Sequence, residues 1–141
     1  MSGDRHPVRC LTPGDLLEIR ELFARWSHTE DTGQAEAWAE IFTSDGTHVN
    51  SSGRQATGRE ALAENSRHRW ANPASHLAIH WLGEPVVEAT GEGALARHYG
   101  MLIDLTSDGC RMRGLTQRSY QLRREGGNWR VYDMAHITGE S

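Results

Sequence analysis

Cysteine is scarce in this chain: Cys10 and Cys110 are the only two. Their separation matches no metal-ligand spacing and offers no disulfide framework, so both are expected as free thiols. No apolar run approaches the roughly 20 residues needed to span a bilayer. The opening segment, MSGDRHPVRC, has no apolar core of the signal-peptide kind. The sequence therefore reads as cytoplasmic, with no membrane partner. A basic block is missing too. The formal charge is −4, and Arg111, Arg113, Arg118, Arg123 and Arg124 fall in a strand-like stretch whose alternation divides them between two faces. Nucleic acid is not expected as a partner. There is no GxGxxG, no P-loop, and no nucleophile motif around Ser51 or Ser119, which argues against a nucleotide cofactor and a serine hydrolase. Repeats and linkers are absent as well.

What is there fits one domain. A chain of 141 residues, 37% hydrophobic, can bury a single sizeable core. The reading is one domain over 1–141, with an ordered core at about 12–138. Thr12-Pro13-Gly14-Asp15 starts a helix, with Thr12 as cap, Pro13 in the first turn and Asp15 at the positive end of the dipole. Leu16, Ile19, Leu22, Phe23 and Trp26 then recur at spacings of three and four. Gly33 ends this helix. Ala35, Trp38, Ala39, Ile41 and Phe42 support a short second one, stopped by Ser44-Asp45-Gly46. After a weak strand from Thr47, a third helix runs from Gly58 to about Trp70, with Ala61, Leu62 and Asn65 facing inward, and Asn72-Pro73 closes it.

The period then changes to two. His76 to His80, Pro85 to Ala89, Ala94 to Leu105, Arg111 to Arg124 and Trp129 to Thr138 read as strands, several joined by glycine-bearing hairpin turns. Helices first and long antiparallel strands afterwards predict an α+β fold, with three helices packed on a curved sheet. Such a sheet leaves a concavity that helices close only in part.

Asp31 stands at the end of the first helix, downstream of the apolar face of Leu22, Phe23 and Trp26. It can begin the Asp31-Thr32-Gly33 turn, or it can serve proton transfer at the mouth of an apolar cavity. In the first long strand His76, Ala78 and His80 share one face, with Leu77, Ile79 and Trp81 on the other. His98 lies on the following long strand among Ala96, Gly100 and Leu102. A buried histidine needs a hydrogen-bond partner, and His6, His28, His48, His68 and His136 are read as structural. Histidines at i and i+4 on a strand lie roughly 13 Å apart, too far for one ion, so no metal site is expected.

The order of these features resembles the nuclear transport factor 2-like superfamily, in its branch of SnoaL-type cyclases and scytalone dehydratase-like enzymes. The features are a long first helix, Asp31 after it, Phe42-Thr43-Ser44-Asp45, the helix start Gly58-Arg59-Glu60-Ala61, and then the sheet. The resemblance spans about Leu16 to Thr138 and implies a cone-shaped fold. It also implies a dyad of Asp31 and His76, assisted by His98, with Trp26 lining the pocket. His80, Trp38 and Phe42 join Trp26 as expected substrate-binding residues. Gly83-Glu84-Pro85 departs from the pattern as an insertion or bulge, which leaves the register of His98 open.

A histidine oriented by a carboxylate can remove a proton beside a carbonyl. The expected activity is therefore a cofactor-independent dehydratase, cyclase or isomerase acting on a small hydrophobic, aromatic or polyketide-like substrate. The alternative is a non-catalytic ligand-binding or assembly module of the same fold. On either reading the apolar outer strand residues, among them Trp81, Tyr99 and Met101, suit a homodimer or a higher homo-oligomer.

Overall fold

Thr12 caps α1 (Pro13–Asp31) through a reciprocal capping box. The Asp15 N–H donates to Thr12 Oγ1 at 3.0 Å, and the Thr12 N–H donates to the Asp15 carboxylate at 2.8 Å. The computed structural model describes residues 10–50 and 53–140, the last six through their backbone alone. His6, Ser51 and the side chain of His136 lie outside the described residues. The buried side of α1 holds Ile19, Leu22, Phe23 and Trp26 at the expected spacing, then continues through Thr29 to Glu30.

The chain proceeds through α2 (Ala35–Ala39), β1 (Phe42–Val49), β2 (Gln55–Thr57) and α3 (Arg59–Trp70). A 3-10 turn (Pro73–Leu77) leads into β3 (Ala78–Leu82), β4 (Val86–Ala89), β5 (Ala94–Thr106), β6 (Gly109–Glu125) and β7 (Asn128–Glu140). The strands form one sheet in the order β2-β1-β7-β6-β5-β3, with β4 also paired to β5. Only β1 and β7 run parallel. Three helices on a largely antiparallel, curved sheet match the expected α+β architecture.

Three local readings need correction. The strand expected from His76 begins at Ala78, because 73–77 winds into the 3-10 turn. Asn72 Oδ1 accepts the Ala74 N–H at 3.1 Å, and the Ser75 hydroxyl donates to the Arg69 carbonyl at 2.8 Å. These bonds, with Pro73 fixing φ, compete successfully with a strand. Ser44-Asp45-Gly46 lies inside β1: Phe42 pairs with Val131 and Thr47 with Asp133, so the turn is carried as a bulge. In α3 the buried positions are Leu62, Ala63 and Ser66, while Ala61 is exposed.

The core lies between α1, α2 and the sheet. Trp26, Trp38, Trp129, Tyr120 and Phe42 are its largest fully buried side chains. Trp26 packs edge-on against Trp38 and Tyr120, with centroids 5.4 and 5.3 Å apart. The N-terminal half of α1 is pinned to β7, where Trp129 Nε1–H donates to Asp15 at 3.0 Å. Its C-terminal end is held differently. Gly33 adopts φ +71°, and a Cβ there would lie 2.4 Å from the Trp70 ring. That close approach of α3 sets the position of the last turn of α1, which carries the acidic pair Glu30 and Asp31.

Candidate active site

The end of α1 meets the start of β3. Asp31 receives three hydrogen bonds from a single residue there. The backbone N–H of His80 donates to both carboxylate oxygens, at 3.2 and 3.0 Å, and the ring Nδ1–H donates to Oδ1 at 2.7 Å. Glu30 Oε1 lies 3.2 Å from the same nitrogen. Two carboxylates flanking Nδ1 assign the ring proton to it, which leaves Nε2 as the basic nitrogen. His80 takes no hydrogen bond through Nε2 from the described residues, and its ring lines a cavity.

Glu30 is the buried member of the acidic pair, with a side chain 5% exposed. Burial alone would raise its pKa, but His80, Arg69, Arg118 and His48 outweigh burial and hold it at about 2. Arg69 on α3 supplies the direct contact, Nη1–H to Oε2 at 2.7 Å. Glu30 thus stays a carboxylate at every pH of interest, locked between Arg69 and His80. Glu30, Asp31 and His80 also bring three possible ligand atoms within 4.8 Å of one another. A cation there would have to displace the Nδ1 proton and face Arg69, so the set suits a shared proton better than an ion.

The cavity has a volume of about 390 Å³, within the range of small-molecule sites. Beyond the acidic pair and His80, its walls include Trp38, His48, Ser66, Arg69, Thr116 and Arg118. His48 is buried, and burial, reinforced by Arg69 and Arg118 against an opposing Glu30, lowers its pKa to about 4. It is neutral at pH 7. Ser66 Oγ is buried without a hydrogen-bond partner among the described residues. These polar groups face the same space as the basic nitrogen of His80.

A family model described as a SnoaL-like domain matches residues 14–135. The chain belongs to the SnoaL-like domain family. No curated protein matches the sequence. Among solved structures, a nuclear transport factor 2-like protein with a cystatin-like fold from Novosphingobium aromaticivorans is 27% identical to this SnoaL-like chain. It superposes with a TM-score of 0.78 over 89% of this chain and 80% of its own. A protein of unknown function from Mycobacterium tuberculosis is 25% identical, with a TM-score of 0.76 over 92% and 76% of the two chains. A Catenulispora acidiphila protein solved in complex with S-DNPA is 21% identical, with a TM-score of 0.74 over 92% and 94%. These likenesses place the chain in the nuclear transport factor 2-like fold.

Within this SnoaL-like domain the expected site residues are redistributed. Asp31 has a histidine partner, but it is His80 rather than His76. The exposed His76 sits in the 3-10 turn, stacked on Trp70 at 4.0 Å, with Nε2 2.9 Å from the Trp70 carbonyl. His98 is buried beside Phe23 and bonded through Nε2 to the Tyr120 hydroxyl at 2.9 Å, and it does not line the cavity of Asp31. Burial, then the nearby Arg118, lowers its pKa to about 4. Trp26 and Phe42 are core, whereas Trp38 reaches the wall.

The expected site residues include neither Glu30 nor Arg69, and the sequence pattern reads His48 as structural and Arg118 as one of a divided arginine cluster. The signal for Glu30 was present, since continuing the stripe Ile19, Phe23, Trp26 by four positions lands on it. A carboxylate in the buried register of an amphipathic helix demands a partner.

Proposed function

We propose that this SnoaL-like domain is a cofactor-independent lyase or isomerase that removes a proton beside a carbonyl, with dehydration as the favoured outcome and cyclisation or isomerisation on the same machinery. One observation carries the reading: a carboxylate holds Nδ1 of His80 at 2.7 Å while the ring lines a cavity of about 390 Å³. Asp31 fixes the tautomer and stabilises the imidazolium that forms, and Nε2 acts as the base. As the C–H bond breaks, its electron pair moves into the carbon framework and negative charge develops on the carbonyl oxygen. For a β-hydroxy carbonyl substrate the enolate then expels the hydroxyl, which takes the proton from Nε2 and leaves as water. His80 alone can thus serve both proton steps. His98, bonded to Tyr120, is not needed for either.

The reading extends to assembly. On the outer face of the sheet Trp81, Tyr99 and Leu115 are exposed at 62, 65 and 51%. Trp81 pairs with Met101, and Met101 with Leu115, so an apolar row crosses β3, β5 and β6. A second copy covering this row would form a homodimer.

The test is ring ¹⁵N–¹H correlation of the histidines together with a screen of β-hydroxy carbonyl compounds for water loss. In the wild type His80 should show Nδ1 protonated, and Asp31→Asn should give mixed tautomers. A non-catalytic binding module predicts saturable ligand binding with no turnover and no loss of binding in Asp31→Asn. If the His80 tautomer is indifferent to Asp31→Asn, the dyad is refuted.

A further inference from the structure

The cavity contains a cation that the dyad does not use. Arg118, on the inner face of β6, lines the cavity and has no ion pair to a carboxylate among the described residues. The carboxylates that share the cavity with it, Glu30 and Asp31, are already engaged by Arg69 and His80. The arginine is built in place. Its Nε–H donates to Thr116 Oγ1 at 3.2 Å, and that hydroxyl donates onward to the Gly100 carbonyl at 3.2 Å. Gly100 leaves the room: a Cβ there would come within 3.2 Å of Arg118 Nε and 3.0 Å of Thr116 Oγ1. The buried Tyr120 hydroxyl, held by His98 Nε2 at 2.9 Å, lies two residues along the same strand face. A guanidinium fixed at Nε and drawn out of water beside a cavity is a fork whose natural complement is an anionic oxygen.

We propose that Arg118 is the anion-binding group of this cavity, and that the ligand is a small organic carbonyl compound whose oxygen lies on its guanidinium. Resting on the proposed proton abstraction, this assigns Arg118 to the oxygen on which enolate charge develops. A carboxylate at the same position is the ground-state mimic of that charge. Thr116 is then a positioning residue acting through Arg118, and neutral His48 and Ser66 remain for the ligand's uncharged polar groups. The charge balance of the walls agrees. Arg69 is paired with Glu30 and Arg113 with Asp104, which leaves Arg54 and Arg118 as the lining arginines without a carboxylate partner among the described residues.

The experiment is titration of the protein with benzoate and with its neutral counterpart benzamide, followed by calorimetry and by the arginine Nε–H signals. Benzoate should bind saturably, perturb the Arg118 signal, and bind at least about tenfold more tightly than benzamide, the scale of one charge-assisted contact. Arg118→Gln should abolish that preference. Arg118→Lys, which keeps charge but loses the fork, should retain only part of it and serves if the glutamine variant fails to fold. Asp31→Asn should leave the benzoate preference in place, which separates this assignment from the dyad. Failure of the dyad shows as an unchanged His80 tautomer with benzoate still bound. No saturable benzoate binding, equal binding of benzamide, or a preference that survives Arg118→Gln overturns the assignment.

Discussion

At the scale of single residues the site depends on which histidine meets Asp31. His80 meets it twice, through backbone and ring, and His76 does not. His80→Ala and Asp31→Asn should therefore lower turnover by about 10²- to 10⁴-fold, the ordinary contribution of a positioned base. His76→Ala should leave it within about twofold of the wild type, since surface substitutions are usually mild. Steady-state kinetics on whichever β-hydroxy carbonyl is turned over would decide, and a dead His76→Ala enzyme would return the base to the 3-10 turn. Glu30 makes a different prediction. Replacing it with Gln leaves Arg69 and His80 facing a neutral amide in a buried place. That should cost on the order of 1 to 3 kcal/mol of stability, the scale of losing a charged hydrogen bond, because Arg69 keeps access to water and His80 keeps Asp31. Urea unfolding measures it.

Elements place these residues, and the decisive contact is between the end of α1 and the end of α3. Trp70 closes over Gly33 so tightly that no side chain fits, and the backbone there is left-handed. Gly33→Ala should destabilise the domain by about 1 to 3 kcal/mol through strain and overpacking. It should also loosen the Asp31–His80 pair, because the same turn carries Asp31. A variant with wild-type stability in thermal unfolding would show that the Trp70 contact does not constrain this corner. The 3-10 turn works alongside it. By taking up 73–77 it delays the strand and delivers His80, rather than His76, to the level of Asp31.

Over the whole molecule two properties follow. The first is acid sensitivity. His48 and His98 are buried, with pKa values of about 4 in the fold, against about 6.5 for an unfolded histidine. Between those two values the unfolded chain binds more protons than the folded one, so stability falls as the pH falls from about 6.5 to about 4. Each histidine accounts for on the order of 3 kcal/mol at about 1.4 kcal/mol per unit. Carboxylates held low by their partners, Glu30 and Asp15 among them, add to the loss below that range. Denaturant midpoints that stay constant between pH 7 and pH 4 would contradict this. The second is the proposed self-association. Trp81→Arg, on the exposed apolar row, should convert a dimer into a monomer in light scattering, with the ring ¹⁵N signature of His80 unchanged.

The amino-acid sequence by itself determined the kinds and order of most elements. Alternation and three-to-four spacing are local properties, and they survived folding in α1, α3 and the strands after Ala78, whereas the short β2 and the 42–46 part of β1 carry no such pattern. It also located Asp31 and marked His80 as facing inward, because period two fixes a side chain's face. It did not determine which histidine pairs with Asp31, since a five-residue turn set by Asn72 and Pro73 shifts the strand start without changing its pattern. Nor did it show that Glu30, Arg69 and Arg118 converge. Those residues come from α1, α3 and β6, and their charges are read against one another only when the sheet curls and α3 closes over the end of α1. Long-range electrostatics in a shared cavity is a tertiary property, and it makes a turn aspartate the hydrogen-bond partner of His80.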